Sequence, residues 1–239
     1  MILVGKPNIV SQIKSVSSFI TLENTNINFS ETVKSLGVIF DESLSFKQHI
    51  KEISKSSMYK LRNLRNIRNH FNKSNFETLI HAFITSKLDF CNSLFSGLPK
   101  STLRPLQLVQ NYAARLILRR GRYERSDPLL FQLHWLPISR RIDFKILLLT
   151  YKARHNLTPV YISDLIVPAN RPNYLRSAND DILHYDLTDS VRIGDCAFSV
   201  YAPRIWNALP EEIRSANSVN IFKNKLKTYL FNLEYLLQN

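Results

Sequence analysis

The chain has 239 residues, 44% of them hydrophobic and 21% charged, which is enough apolar content for a real core and enough length for one large domain or two small ones. Its five glycines, at 5, 37, 97, 121 and 194, lie too far apart for a phosphate-cradling loop, and two cysteines, Cys91 and Cys196, exclude a disulfide framework or a Cys-rich zinc module. The 32 Lys and Arg against 19 Asp and Glu give a net charge of +13, a surplus that points to a polyanionic partner.

The first segment reads as β-rich. Ser18–Leu22 has strand character, a polar turn follows, and Ile27–Phe29 and then Val33–Phe40 continue the pattern, so a small antiparallel hairpin system is expected. From Ile50 the pattern becomes helical. Ile50, Ile53, Met58, Leu61, Leu64, Ile67 and Phe71 recur at three- and four-residue spacing and share one face. Ser74 with Glu77 reads as a capping box opening a second helix through Phe76, Ile80, Phe83, Ile84 and Cys91, ended by Gly97 and Pro99. On this reading Cys91 belongs to the core. A third helix is expected from about Thr102 to Arg120, with Pro105 in its first turn and Gly121 at its end. Further on, Ile142–Ala153 predicts a helix, 168–190 a long polar loop, Val191–Tyr201 a strand pair, and Val219–Leu237 a closing helix capped by Ser218. Trp135, between Leu133 and Leu136, reads as a buried anchor rather than a stacking platform, and Trp206 likewise.

The charge is concentrated. Residues 1–50 carry four basic and four acidic side chains, residues 51–125 carry fifteen and four, and residues 126–239 carry thirteen and eleven. A clustered surplus acts on one stretch of phosphates, so the middle segment is the expected nucleic-acid face. The longest apolar runs, such as Ile146–Leu149, fall far short of the roughly 20 residues a spanning helix needs, so no membrane span is expected. The start of the chain does not read as a signal peptide; an intracellular protein, cytoplasmic or nuclear, is expected, and the sequons at Asn28, Asn72 and Asn156 are read as chance matches. The six histidines pair with neither cysteine at ligand spacing, so no metal site is expected.

Val33-Lys34-Ser35-Leu36-Gly37-Val38-Ile39-Phe40-Asp41, then Leu88–Leu94, Leu106–Arg115, Leu133-His134-Trp135-Leu136-Pro137-Ile138, Arg140–Lys145 and Ala202–Pro210, resemble, in order, blocks of one family. It is the non-LTR (LINE-type, jockey and chicken-repeat-like) retrotransposon reverse transcriptases, in the part that follows the catalytic palm. The resemblance implies a mainly α fold with a small antiparallel β part. Residues 1–49 would be a palm remnant with a primer-grip-like hairpin, 50–125 a basic helical-bundle thumb, and 126–239 a mixed, mostly helical C-terminal domain without an assigned role.

Within the family, polymerisation uses carboxylates holding two divalent metals about 3.5–4 Å apart. These lie before the Gly37 block, so the chain is expected to lack them: no catalytic residue, no cofactor, and Mg²⁺ only in an intact polymerase. Asp180-Asp181 lacks the preceding aromatic-Ala and is read as loop. Leu36, Gly37 and Val38 would form the primer grip. Lys51, Lys55, Lys60, Arg62, Arg65, Arg68 and Lys73 would hold the backbone of RNA or an RNA–DNA hybrid, giving affinity without sequence readout. Arg119, Arg120, Arg122 and Arg125 form a second cluster beside Gly121, with two readings: phosphate contact, for which Arg119, Arg120 and Arg122 are the candidates, or cations suited to a helix C-terminus. The alternative function is a stand-alone helical interaction module or a relic of a truncated element, with self-association through surface that a palm would otherwise cover.

Overall fold

The computed structural model describes residues 1–169, 182–186 and 194–236. Two separate two-stranded antiparallel sheets open it. β1 (Phe19–Leu22) pairs with β2 (Thr25–Asn28), and β3 (Thr32–Ser35) pairs with β4 (Val38–Asp41). The expected hairpins are present, yet a helix absent from the sequence reading, α1 (Pro7–Val16), precedes them. It buries Val10 alone and leaves Ile9, Ile13 and Val16 exposed, so its apolar residues form no core-facing signal.

Asp41 ends β4 and organises the entry to the long helix α2 (Lys47–Ile67). Its carboxylate accepts from Ser43 Oγ at 2.7 Å and from the backbone N–H of Ser45 at 3.0 Å and Phe46 at 2.7 Å. Helix α2 buries Ile50, Ile53, Leu61 and Leu64 of the face its spacing predicts, with Met58 and Phe71 partly buried against the core, while Ile67, expected on that face, is exposed where the helix ends. Its last turn tightens into a 3₁₀ turn over Arg68–His70.

The next helix departs from expectation. α3 (Lys73–Ile80) starts earlier than the Ser74 capping box implies: Asn72 is the cap, its Oδ1 accepting from Asn75 N–H at 2.8 Å, while Ser74 lies inside the first turn. A π-helical turn, His81–Thr85, then leads into the short α4 (Ser86–Asp89). The extra residue of that turn rotates Phe83 to a half-exposed position. The chain breaks at Cys91, with φ 51°, before a 3₁₀ turn over Asn92–Phe95. Cys91 is exposed, which corrects its placement in the core.

α5 (Lys100–Leu118) begins two residues before the predicted start, so Pro105 falls in its second turn, and its left-handed C-cap is Arg119 rather than Gly121. It runs parallel to α2, since Lys47 and Lys51 line one cavity with Ser101 and Thr102 at one end while Arg68 donates to Leu116 and Ile117 at the other.

α6 (Ser126–Gln132) leads to α7 (Ile138–Arg154), the hub of the second half. Against α7 pack α5, α9 (Phe198–Asn207) and α11 (Val219–Tyr235), with short helices α8 (Val160–Ser163) and α10 (Glu211–Arg214) between. The strand pair expected over 191–201 is absent from its described part, which is a 3₁₀ turn (Gly194–Cys196) followed by α9. Val200, Pro203 and Trp206 recur every three residues and are buried, a helical signal that the β-branched start of the segment masked. Asp180-Asp181 and residues 191–193 lie outside the described residues. Trp135 and Trp206 are both buried, as read from sequence. One contiguous buried cluster runs from Val38 to Leu230.

Among the described residues the molecule is mainly helical with two small antiparallel sheets, and no helix is long and apolar enough to cross a membrane.

Candidate nucleic-acid interface

Helix α2 carries six basic side chains and one acidic, Glu52. Its buried face fixes which of them look outward. Lys47, Lys51, Lys55, Arg62 and Arg65 recur at three-, four- and seven-residue spacing opposite the core, and all are exposed. None of them makes an ion pair among the described residues. An uncompensated row of cations on one rigid helix repels itself, and a phosphate backbone relieves that repulsion. Tyr59 stands on the same exposed side and offers an aromatic face among the cations.

Lys60 lies on the other flank. Its Nζ sits 5.7 Å from the ring centre of Phe83, which the π turn has pushed outward. Lys87 joins this flank by donating to Ser56 Oγ. Burial lowers the Lys87 pKa, and the neighbouring charges of Lys60 and Lys34 lower it further. Lys60 and Lys87 therefore make a second, smaller cationic edge where α4 packs on α2.

Arg68 does not belong to either row. It is 7% exposed, and its guanidinium is spent on the protein itself. Nε donates to Leu116 O at 2.9 Å, Nη2 to Ile117 O at 2.9 Å and Nη1 to Phe71 O at 2.8 Å, with the plane 4.5 Å from the Phe76 ring centre. These carbonyls close the end of α5, so Arg68 is a C-terminal clamp, and its assignment to phosphate binding is corrected. The i, i+3 continuation of the basic spacing from Arg65 concealed this, although Arg68 also follows Leu64 by four residues and Leu61 by seven, the spacing of the buried face.

Lys73 is exposed at the start of α3. Arg119, Arg120 and Arg122 are exposed in the loop after α5. That loop is pinned by Arg115, which donates to Glu124 O at 2.7 Å through Nη2, and Arg120 approaches Glu124 at 3.7 Å. Both readings of this cluster have a physical basis here: Arg119 is the helix cap, while Arg122 points no charge at a described acid. Tyr123 in the same loop is 94% exposed, an aromatic that sequence reading passed over. Through Arg68, the loop and the last turn of α2 occupy the same end of the bundle.

The β3–β4 hairpin packs against α2 through β4. Leu36 and Gly37 form the β3–β4 turn with φ of 47° and 87°, both left-handed, as a two-residue hairpin turn of the I′ type requires. Leu36 is 93% exposed, whereas Val38 is buried in the core. A Cβ on Gly37 would stand 3.5 Å from the Phe90 ring, so the turn packs against the segment after α4.

Among the described residues no group of three or more His, Cys, Asp or Glu gathers in a way that could hold a metal ion. No family profile matches the chain, and no curated protein or solved structure matches it.

Proposed function

We propose that this chain binds RNA, and in particular an RNA–DNA hybrid, along the exposed face of α2, as the thumb of a non-LTR retrotransposon reverse transcriptase would. The motif order from Leu36-Gly37-Val38 through Leu133–Ile138 to Ala202–Pro210 supports the family reading. The single observation that carries the binding reading is the unpaired row Lys47, Lys51, Lys55, Arg62 and Arg65 on one helix face. In this reading the cations set affinity and position on the backbone, Tyr59 and Phe83 supply sequence-tolerant aromatic faces, and the β3–β4 turn presents Leu36 to the primer end.

Fluorescence anisotropy of a labelled hybrid tests it, using the full chain. Replacing Arg62 and Arg65 with Glu reverses two charges at exposed positions without touching the core. Binding is expected to weaken at least about tenfold with the thermal midpoint held. Unchanged affinity in a folded double variant overturns the assignment of this face.

A second reading has its own observation. Ile9, Ile13 and Val16 of α1 and Phe19, Ile20 and Leu22 of β1 are all exposed, an apolar surface of the kind that self-associates. Sedimentation of the chain over a concentration series separates the two, since association through this surface barely responds to salt.

A further inference from the structure

We propose that a cavity between α3 and α7 takes one nucleotide, with its base against Trp135 and its phosphate between Lys145 and Lys227. The inference rests on the nucleic-acid reading and adds to it a site separate from the α2 face. The cavity is about 380 Å³, within the range of small-ligand sites and large enough for a mononucleotide.

Three features fix the chemistry. Trp135 and His81 meet at 5.4 Å with rings tilted 52°, giving an aromatic corner beside the apolar side chains of Leu133, Leu136 and Phe144 in a lining that is otherwise polar. Asn92 lines the cavity, is 3% exposed, and holds an Oδ1 without a partner, while its Nδ2 leans 3.4 Å toward Asp89. A buried acceptor calls for a donor, and a base edge carries amino or ring N–H groups. At the mouth, Lys145 and Lys227 are exposed and have no ion pair or hydrogen bond with any described residue. Of the two carboxylates that line the cavity, Asp89 takes the fork of Arg141, and Glu77 stands 3.7 Å from His81 Nε2. An anion therefore finds two free ammonium groups there.

The shared chemistry is a nucleoside monophosphate, arriving either free or as an unpaired nucleotide of a strand. Calorimetric titration of the full chain with AMP, adenosine, inorganic phosphate and a short single-stranded oligo(A) tests it. AMP is expected to saturate, with adenosine and phosphate each at least about tenfold weaker, because each supplies half the contacts. The double variant Lys145→Glu/Lys227→Glu, on exposed positions, is expected to lose at least about tenfold for AMP. Asn92→Leu is expected to weaken adenosine and AMP alike, and Arg62→Glu/Arg65→Glu to leave AMP untouched. Oligo(A) competing with AMP assigns the site to a strand; AMP binding without that competition assigns it to a free nucleotide. No saturable AMP binding, AMP binding indifferent to the lysine variant, or phosphate competing as well as AMP overturns the proposal. Hybrid binding that persists beside any of those failures leaves the α2 reading standing.

Discussion

The guanidinium of Arg68 donates to three backbone carbonyls and lies over Phe76, so a single side chain joins the last turn of α2 to the last turn of α5. Removing it leaves buried acceptors unmet, and Arg68→Ala is expected to destabilise the fold by about 3 kcal/mol in urea unfolding. Arg68→Lys is expected to recover little of that, because an ammonium cannot span three divergent carbonyls. A loss below about 0.5 kcal/mol, typical of a solvent-facing position, would contradict the clamp. Asp41 makes a second prediction at this scale. Burial pushes its carboxyl pKa up, but hydrogen bonds from Ser43, Ser45 and Phe46 outweigh it and hold the pKa below the ordinary 3.8. A depressed carboxyl contributes stability that is present above its unfolded pKa and is lost as pH falls through the folded one. The stability gap between wild type and Asp41→Asn is therefore expected at pH 7 and closes as pH drops through and below 3.8. A gap that persists or widens in acid would contradict it.

At the scale of elements, the β3–β4 turn is the most constrained. Gly37 sits at φ 87°, where an added Cβ is strained, so Gly37→Ala is expected to destabilise by about 1 kcal/mol, read as a shift in the unfolding midpoint. An unchanged or raised midpoint would show that the turn relaxes to another type. Helices α2, α5, α7 and α11 were legible in the sequence because each buries one face at the helical period, whereas the hairpins, whose strands bury no alternating face, were legible from strand-forming residues and the turns between them. What escaped reading has identifiable physical causes. Helix α1 is mostly exposed, so its apolar residues carried no burial pattern to decode. The π turn added one residue to the register of α3, which sent Phe83 outward, and the left-handed break at Cys91 carried that residue out of the core. The exposed basic face of α2 was partly legible. Lys51, Lys55, Arg62 and Arg65 followed from helical spacing, while Tyr59, Tyr123 and Lys87 lie on no periodic signal that marks exposure.

At the scale of the whole molecule, one buried cluster spans all three segments of the chain, so the basic bundle and the C-terminal helices share a core through α5 and α7. Trp206 sits fully buried at its far side, its ring 5.8 Å from that of Phe222. Trp206→Ala is expected to cost about 3–5 kcal/mol and to lower a single cooperative transition. Two separated transitions, with only the second shifted, would mean that the halves unfold independently.

The measurement that bears most directly on function is the salt dependence of hybrid binding by the unaltered chain. The α2 stripe presents five unpaired cations on one face. If most of them each neutralise a phosphate, the log–log slope of affinity against salt falls at about −3 to −5. A slope shallower than about −1, or no hybrid binding by the folded chain at low salt, would contradict the assignment of α2 as a phosphate-holding face.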